Sequence, residues 1–224
     1  LHAGVSRQMW KDLFPGRREH EIPIEAITNG VHGSWMAPEI RDLIQSYVGE
    51  DLMSVEVDER LQARIQEIPD LELWDAHMKC KRRMISYLRT IFAANWIERG
   101  YSPDRVRRAR EMLNAGFLTI GFARRFATYK RADLILRDKE RFARIPKNDR
   151  RPVQILFAGK AHPADVIAKK IISDIFDFAR DYGLEDRIFF IENYARSVAE
   201  HIVAGCDLWL NNPIRPNEAS GTSG

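Results

Sequence analysis

The sequence predicts an α/β protein: a parallel β-sheet covered by helices on both faces, preceded by a helical N-terminal segment. Three observations predict it. From about residue 113 onward, apolar runs of strand length alternate with helical stretches. Those runs are apolar at consecutive positions, as in strands buried on both faces, which belong to parallel sheets. The first 112 residues show mainly helical periodicity. The expected division is therefore 1–112, mostly helical, and 113–224, the sheet-forming part.

Taken in order, Pro38 to Tyr47 reads as an amphipathic helix stopped by Gly49, after a turn-rich connector at Thr28–Gly33. Leu71 to about Glu98 reads as a long helix with Leu73, Trp74, Met84, Leu88, Ile91 and Phe92 as its apolar set. Asp104 to Leu113 is a third helix, with its acid in the favourable first turn. Phe117–Phe122, Val153–Ala158, Ile188–Ile191 and Leu208–Leu210 are the four strands. Between them, Arg131 to Ile145 has helical character, with Leu134, Ile135 and Phe142 facing inward. Pro163 to Tyr182 is a strong helix, with Pro163 at its first position, Gly183 at its stop, and Ile167, Ile171, Ile175, Phe178 and Tyr182 on one face. Ser197 to Gly205 is a short helix, with Ser197 as N-cap and Glu200 completing a capping box.

Composition narrows the function classes. A chain of 224 residues, 45% hydrophobic and 30% charged, has the makings of a packed core. The net charge of +3 is small for this length and favours local cationic sites over a nucleic-acid surface. Arg105-Val-Arg-Arg-Ala-Arg110 lacks interleaved aromatics and reads as a solvated helix face. Neither a membrane-spanning run nor a signal peptide is expected, and two cysteines without framework spacing fit a reducing cytosol, so a cytoplasmic location is expected. His2, His32, His77 and His201 have no metal-ligand spacing, and structural roles are expected for them. Leu1-His-Ala-Gly offers no initiator methionine, and both ends read as the edges of a fragment.

In open parallel sheets, ligands bind beyond the carboxyl ends of the strands. The segments there are 123–130, 159–163, 192–196 and 211–224. The first places Arg124, Arg125, Lys130 and Arg131 at one strand end. Arginine offers a planar fork and lysine a point charge for phosphate oxygens. A solvated basic loop is the competing reading, and position at a strand end favours the anion site. Gly159-Lys-Ala-His-Pro163 is either a tight turn or a second polar contribution. Tyr194 packs or stacks on a flat ligand, and taken alone it reads as packing. Glu218-Ala-Ser-Gly-Thr-Ser-Gly224 is a run of small residues behind a carboxylate, able to present backbone N–H groups to an anion or sugar. The two common glycine-rich nucleotide cradles are absent, as are the GxSxG and HExxH motifs.

Six stretches, in order along the chain, resemble the α-glucan (glycogen, starch, maltodextrin) phosphorylases, especially the shorter prokaryotic type. They are Ile27-Thr-Asn-Gly-Val-His32 with Trp35, Thr119 to Arg131, Val153 to Pro163, Phe190 to Tyr194, Asp207 to Pro213, and Glu218 to Gly224. The resemblance implies a Rossmann-like sheet of GT-B type, with residues 1–112 as the end of the N-terminal lobe and connecting helices, and 113–224 as the first part of the C-terminal lobe. It implies phosphorolysis of terminal α-1,4-glucosidic bonds by inorganic phosphate to give glucose 1-phosphate, with pyridoxal 5'-phosphate as cofactor. Partners would be α-glucan and phosphate, with no nucleic acid or membrane, and a homodimer as in the family. Residue by residue, it assigns Arg125 and Lys130 to the substrate phosphate. Glu218, Ser220 and Gly221 fall to the glucosyl unit, Thr222 to the cofactor phosphate and Tyr194 to the cofactor ring. Ala195 departs from the Arg of many longer members, with Arg196 adjacent. The family motif continues into Met-Lys, so the lysine that binds the cofactor is expected just beyond Gly224, and the 224 residues alone are expected to be inactive. Two alternatives share parts of this pattern: a sugar-nucleotide-dependent GT-B glycosyltransferase resembling glycogen synthase, and a non-catalytic sugar-binding fragment.

Overall fold

The computed structural model describes residues 2–27, 35–49 and 58–214. The expected connector at Thr28–Gly33 and the tail from Glu218 lie outside the described residues. The chain divides into two compact units, whose described parts are residues 2–27 for the first and 35–49 with 58–214 for the second. The first holds helix α1 (His2–Met9) and single 3-10 turns at Lys11–Leu13 and Glu19–Glu21. In the second of these turns, the Glu21 carboxylate accepts from Arg18 N at 2.8 Å and Arg18 Nε at 3.1 Å.

The second unit runs α2 (Pro38–Val48), α3 (Glu59–Gln66), α4 (Asp70–Glu98), α5 (Pro103–Glu111), β1 (Leu118–Ala123), α6 (Lys139–Arg144), β2 (Val153–Ala158), α7 (Val166–Asp181), β3 (Ile188–Ile191), α8 (Arg196–Gly205) and β4 (Leu208–Trp209). All strand pairs are parallel, in the order β3-β2-β1-β4, with Leu118 opposite Val153 and Ile155 opposite Ile188. The chain lays down β1, β2 and β3 in one direction, then returns to place β4 on the other side of β1. That reversal makes the β1/β4 boundary a topological switch point, where open parallel sheets form a ligand crevice.

Side chains alternate between the two faces along each strand. On one face Phe122, Val153, Ile155, Phe157 and Ile188 pack with Phe142 of α6 and Ile171, Ile175 and Phe178 of α7. On the other, Ala123, Leu156, Ala158, Phe189 and Ile191 pack with Met84, Leu88 and Phe92 of α4 and Val198 and Ile202 of α8. This two-sided burial is the α/β parallel architecture that the continuous apolar runs predict. Helices α4 and α8 approach closely at Gly205, where a Cβ would stand 2.6 Å from Met84 Cβ.

Four local expectations need correction. The helix expected over 131–145 is broken into 3-10 turns at Thr128–Lys130 and Leu134–Leu136, followed by α6. Arg131 has a left-handed backbone (φ 50°), which no helix continues through, and the Asp138 carboxylate restarts the helix by accepting from Arg141 N at 3.0 Å. Helix α7 starts at Val166, because Asp165 caps it through Ala168 N at 2.9 Å, and Ile167 is exposed. Ser197 does not cap α8. Its hydroxyl accepts from Tyr87 of α4 at 3.0 Å, and Glu200 pairs with Arg196 at 2.8 Å. Leu73 and Trp74 are exposed at 45% and 53%, since the sheet is covered by the later turns of α4, whereas Met84, Leu88 and Phe92 are buried as expected.

One polar cluster fastens this layer to the sheet. Lys81 of α4, its side chain 3% exposed, donates to Asp207 Oδ2 and to the Phe117 carbonyl, both at 2.6 Å. Asp207 also accepts from Thr119 N at 2.7 Å and pairs with His77 Nε2 at 2.6 Å. His77 is structural here, as expected. Burial opposes ionisation of Asp207, but the hydrogen bonds from Lys81, His77 and Thr119 outweigh it and hold the carboxyl below its ordinary value. Breaking such a buried pair from one side leaves an uncompensated charge. Asp207→Asn should therefore lower the unfolding free energy at neutral pH by about 3–5 kcal/mol. A depressed folded pKa gives stability that is present above the unfolded value, near 4, and lost as pH falls through the folded one. Urea titrations of both proteins from pH 7 to pH 3 should accordingly show the stability difference shrinking in the acidic range. A pH-independent difference would exclude ionised Asp207 as its source.

Candidate functional site

The switch-point crevice is bounded by the residues leaving β1, 124–131, and those leaving β4, 211–214. Pairing between β1 and β2 continues past their formal ends: Arg124 N bonds Ala158 O at 3.0 Å and Phe126 N bonds Lys160 O at 2.9 Å. The following turn depends on Gly159. Its φ is +152°, and a Cβ there would lie 1.9 Å from the Arg124 carbonyl oxygen. This glycine lets the β2 exit pass directly beneath the cationic loop.

The four cations of that loop divide into two kinds. Arg124, 6% exposed, donates to Asn211 Oδ1. Arg131 donates through Nε to Asn212 O at 2.7 Å and through Nη2 to Pro213 O at 3.3 Å. These two tie the loop to the segment after β4. Arg125 is exposed, and Lys130, 7% exposed, closes the 3-10 turn with its Nζ 5.6 Å from the Tyr129 ring centre. Arg125 and Lys130 thus share one short loop at the carboxyl edge of β1.

Tyr194 follows β3 and reaches the same edge, its hydroxyl donating to Ala123 O at 3.2 Å. It is half-buried against the α4/α8 side of the sheet. Burial pushes its phenol pKa up, with Arg124 acting in the opposite sense, so it remains a neutral donor. Asn193 beside it has a positive φ of 55°, and Glu192 is anchored by an ion pair with Arg99 at the end of α4. Lys160 and His162 are exposed, and His162 Nδ1 accepts from Ala164 N at 3.1 Å, closing the β2–α7 turn. Glu218, Ser220, Gly221 and Thr222 lie outside the described residues. Trp209 Nε1 and Asn212 Oδ1, at or just past β4, are buried without a hydrogen-bond partner among the described residues. Such atoms are few in folded proteins.

Several alternative chemistries find no support among the described residues. No three His, Cys, Asp or Glu side chains gather as metal ligands, and no helix is long and apolar enough to cross a membrane. Both cysteines are free, and burial raises the thiol of Cys80 to about 11 and that of Cys206 to about 12, so neither is a ready nucleophile. The sequence reading missed the Asn211–Pro213 clamp and the Arg99–Glu192 anchor. An Asn-Asn-Pro run signals a turn, but its partner 81 residues away leaves no local trace.

A doubly covered parallel sheet with cations gathered at its switch point defines the class: an α/β lobe with a cationic carboxyl edge. The comparisons agree with that class. The family model for carbohydrate phosphorylase matches residues 21–224. Over its whole length the chain is 44% identical to a glycogen phosphorylase of Aquifex aeolicus, covering 32% of that protein. It is 42% identical to a maltodextrin phosphorylase of Thermococcus litoralis and 37% identical to a glycogen phosphorylase of Mycobacterium tuberculosis, covering 26% of each. The chain belongs to the carbohydrate phosphorylase family, and its sheet is part of a GT-B fold. It spans about a third or less of the length of these relatives.

The geometry at Gly159 is directly testable. Gly159→Ala forces its methyl onto the Arg124 carbonyl. It should destabilise the chain by at least about 1–3 kcal/mol, measured by urea unfolding. A variant as stable as the parent would show that the β1 and β2 exits do not pass this closely.

Proposed function

We propose that this chain forms part of an α-glucan phosphorylase, in which inorganic phosphate cleaves terminal α-1,4-glucosidic bonds to give glucose 1-phosphate. The observation that carries the reading is the pair Arg125 and Lys130 on one loop at the switch point, while Arg124 and Arg131 bind the neighbouring segment. In this reading residues 113–224 are the first part of the C-terminal Rossmann-like lobe. The residues before them are the end of the N-terminal lobe and the connecting helices, of which α4 and α5 lie on the sheet.

The chain's own residues have defined tasks. Arg125 offers a fork to two phosphate oxygens, and Lys130, held by burial, offers a fixed charge. Cations placed before the substrate arrives stabilise the transferred phosphate without reorganising during reaction. Each such cation attracts a phosphate charge at ~4 Å by about 4 kcal/mol at an effective dielectric near 20. Glu218, Ser220 and Gly221 would hold the glucosyl hydroxyls. The edge also suits pyridoxal 5'-phosphate: Tyr194 offers an aromatic face fixed to β1, and cations stand beside it for the phosphate group. Thr222 would contact that phosphate. When bound, the cofactor phosphate supplies acid/base chemistry to the substrate phosphate. The ligands would be α-glucan and inorganic phosphate, the protein a cytoplasmic homodimer, with no nucleic-acid or membrane partner.

The reading is tested in a full-length protein carrying this segment. Glucose 1-phosphate should be released from maltodextrin only when phosphate is present. Arg125→Ala and Lys130→Ala should each raise the KM for phosphate at least about tenfold, as loss of one charge-assisted contact of ~1.5–3 kcal/mol implies. Their KM for maltodextrin should change far less. Unaltered phosphate dependence in both variants would remove them from the site, and product formed from a sugar nucleotide instead would favour a synthase-like reaction.

A further inference from the structure

Arg131 is one of the residues through which the loop that carries Arg125 and Lys130 meets the segment after β4. Arg131 engages two successive carbonyls, those of Asn212 at 2.7 Å and Pro213 at 3.3 Å. Its own carbonyl accepts from Asn212 Nδ2 at 3.1 Å, and two residues earlier Tyr129 O accepts from Ile214 N at 2.8 Å. The contact is reciprocal, running from side chain to backbone in both directions. It fixes orientation as well as distance, because a guanidinium is planar and its N–H groups point in set directions. Arg131 also adopts φ 50°, a conformation uncommon for a residue with a side chain. The loop thus accepts an unfavourable backbone at the residue whose side chain makes the joint.

We propose that Arg131 is a positioning residue that holds the segment after β4 in fixed register against the phosphate loop. This rests on the phosphorylase reading above. A phosphate on Arg125 and Lys130 is thereby held in a set position relative to residues 211–214. Arg131 does not itself touch the substrate in this scheme, since Nε and Nη2 are directed at backbone carbonyls. Lysine has no fork, so a lysine at 131 keeps the charge and loses the joint.

The test uses the full-length protein with Arg131→Lys, Arg131→Met and the milder Asn212→Ala. Phosphorolysis kinetics, melting temperature and hydrogen exchange at residues 211–214, with and without inorganic phosphate, are compared. Misplacing reacting groups by about 1 Å costs on the order of a hundredfold in rate. Both Arg131 variants should therefore lose at least about tenfold in kcat at saturating substrates, with phosphate KM changed less than about threefold. This is the opposite pattern to Arg125→Ala. Phosphate should slow exchange at Ile214 in the parent and not in Arg131→Met. Wild-type kcat in Arg131→Lys would overturn the proposal, because charge alone would then suffice. A rate loss matched by an equal loss of folded protein would also overturn it. If Arg131→Met does not fold, Arg131→Lys and Asn212→Ala decide by the same criteria. If the parent forms no glucose 1-phosphate, the phosphorylase reading falls separately. Exchange then decides alone: phosphate protection at 211–214 that the Arg131 variants abolish keeps the joint, and protection that persists, or none at all, overturns it.

Discussion

The sheet and its crevice depend on the buried contact between Lys81 and Asp207. An ammonium and a carboxylate withdrawn from water are costly unless their remaining hydrogen-bonding capacity is met. Here it is largely met. Lys81 adds the Phe117 carbonyl, and Asp207 adds Thr119 N and His77. The partners come from α4, from the start of β1 and from the residue preceding β4. One cluster therefore fixes the covering helix, the central strand and the strand that makes the switch point. Interdigitated apolar packing already limits how α4 can sit on the sheet, and the directional bonds of Asp207 restrict its register further.

From that hub, order passes toward the carboxyl edge. With Asp207 fixed, β4 lies beside β1, Leu210 N bonds Gly121 O, and Asn211 to Pro213 emerge next to the loop after β1. Arg124 and Arg131 take hold of those residues. Cations close together repel one another, and the contacts of Arg124 with a side-chain amide and of Arg131 with backbone carbonyls reduce that repulsion locally. The result is a cationic edge assembled by the fold rather than by an anion. A site that must stabilise charge during a reaction benefits from this, since its dipoles and charges need no rearrangement when the charge moves.

The strands were legible in the sequence because their burial is two-sided. Val153–Ala158 and Ile188–Ile191 begin and end where the apolar runs do. The helix boundaries were less so. Asp165 and Asp138 prove to be the caps, while Pro163 and Ser197, equally good signals by residue type, are not. Competing partners decide such cases: the Ser197 hydroxyl accepts from Tyr87, a residue 110 positions away. The outward turn of Leu73 and Trp74 has a similar origin, since periodicity marks a helix face but not how much of it is covered. At the candidate site, the grouping of Arg124, Arg125, Lys130 and Arg131 at one strand end was legible from their place after a buried strand, whereas the Lys81–Asp207 contact spans 126 positions and was not.

The clustering of unfavourable local features at this edge has a single explanation. Arg131 and Asn193 carry positive φ, Gly159 tolerates no side chain, and Trp209 Nε1 and Asn212 Oδ1 are buried without partners among the described residues. Positive φ is costly at Arg131 and Asn193, while the core of the sheet is satisfied on both faces by ordinary apolar packing. Features that burden folding without serving the core persist where surrounding structure over-determines them, and such places are characteristically functional. Here the over-determination runs from Asp207 through β4 to the Asn211–Pro213 clamp. The stability of the lobe's interior is what allows the carboxyl-edge rim to be strained, cationic and ordered.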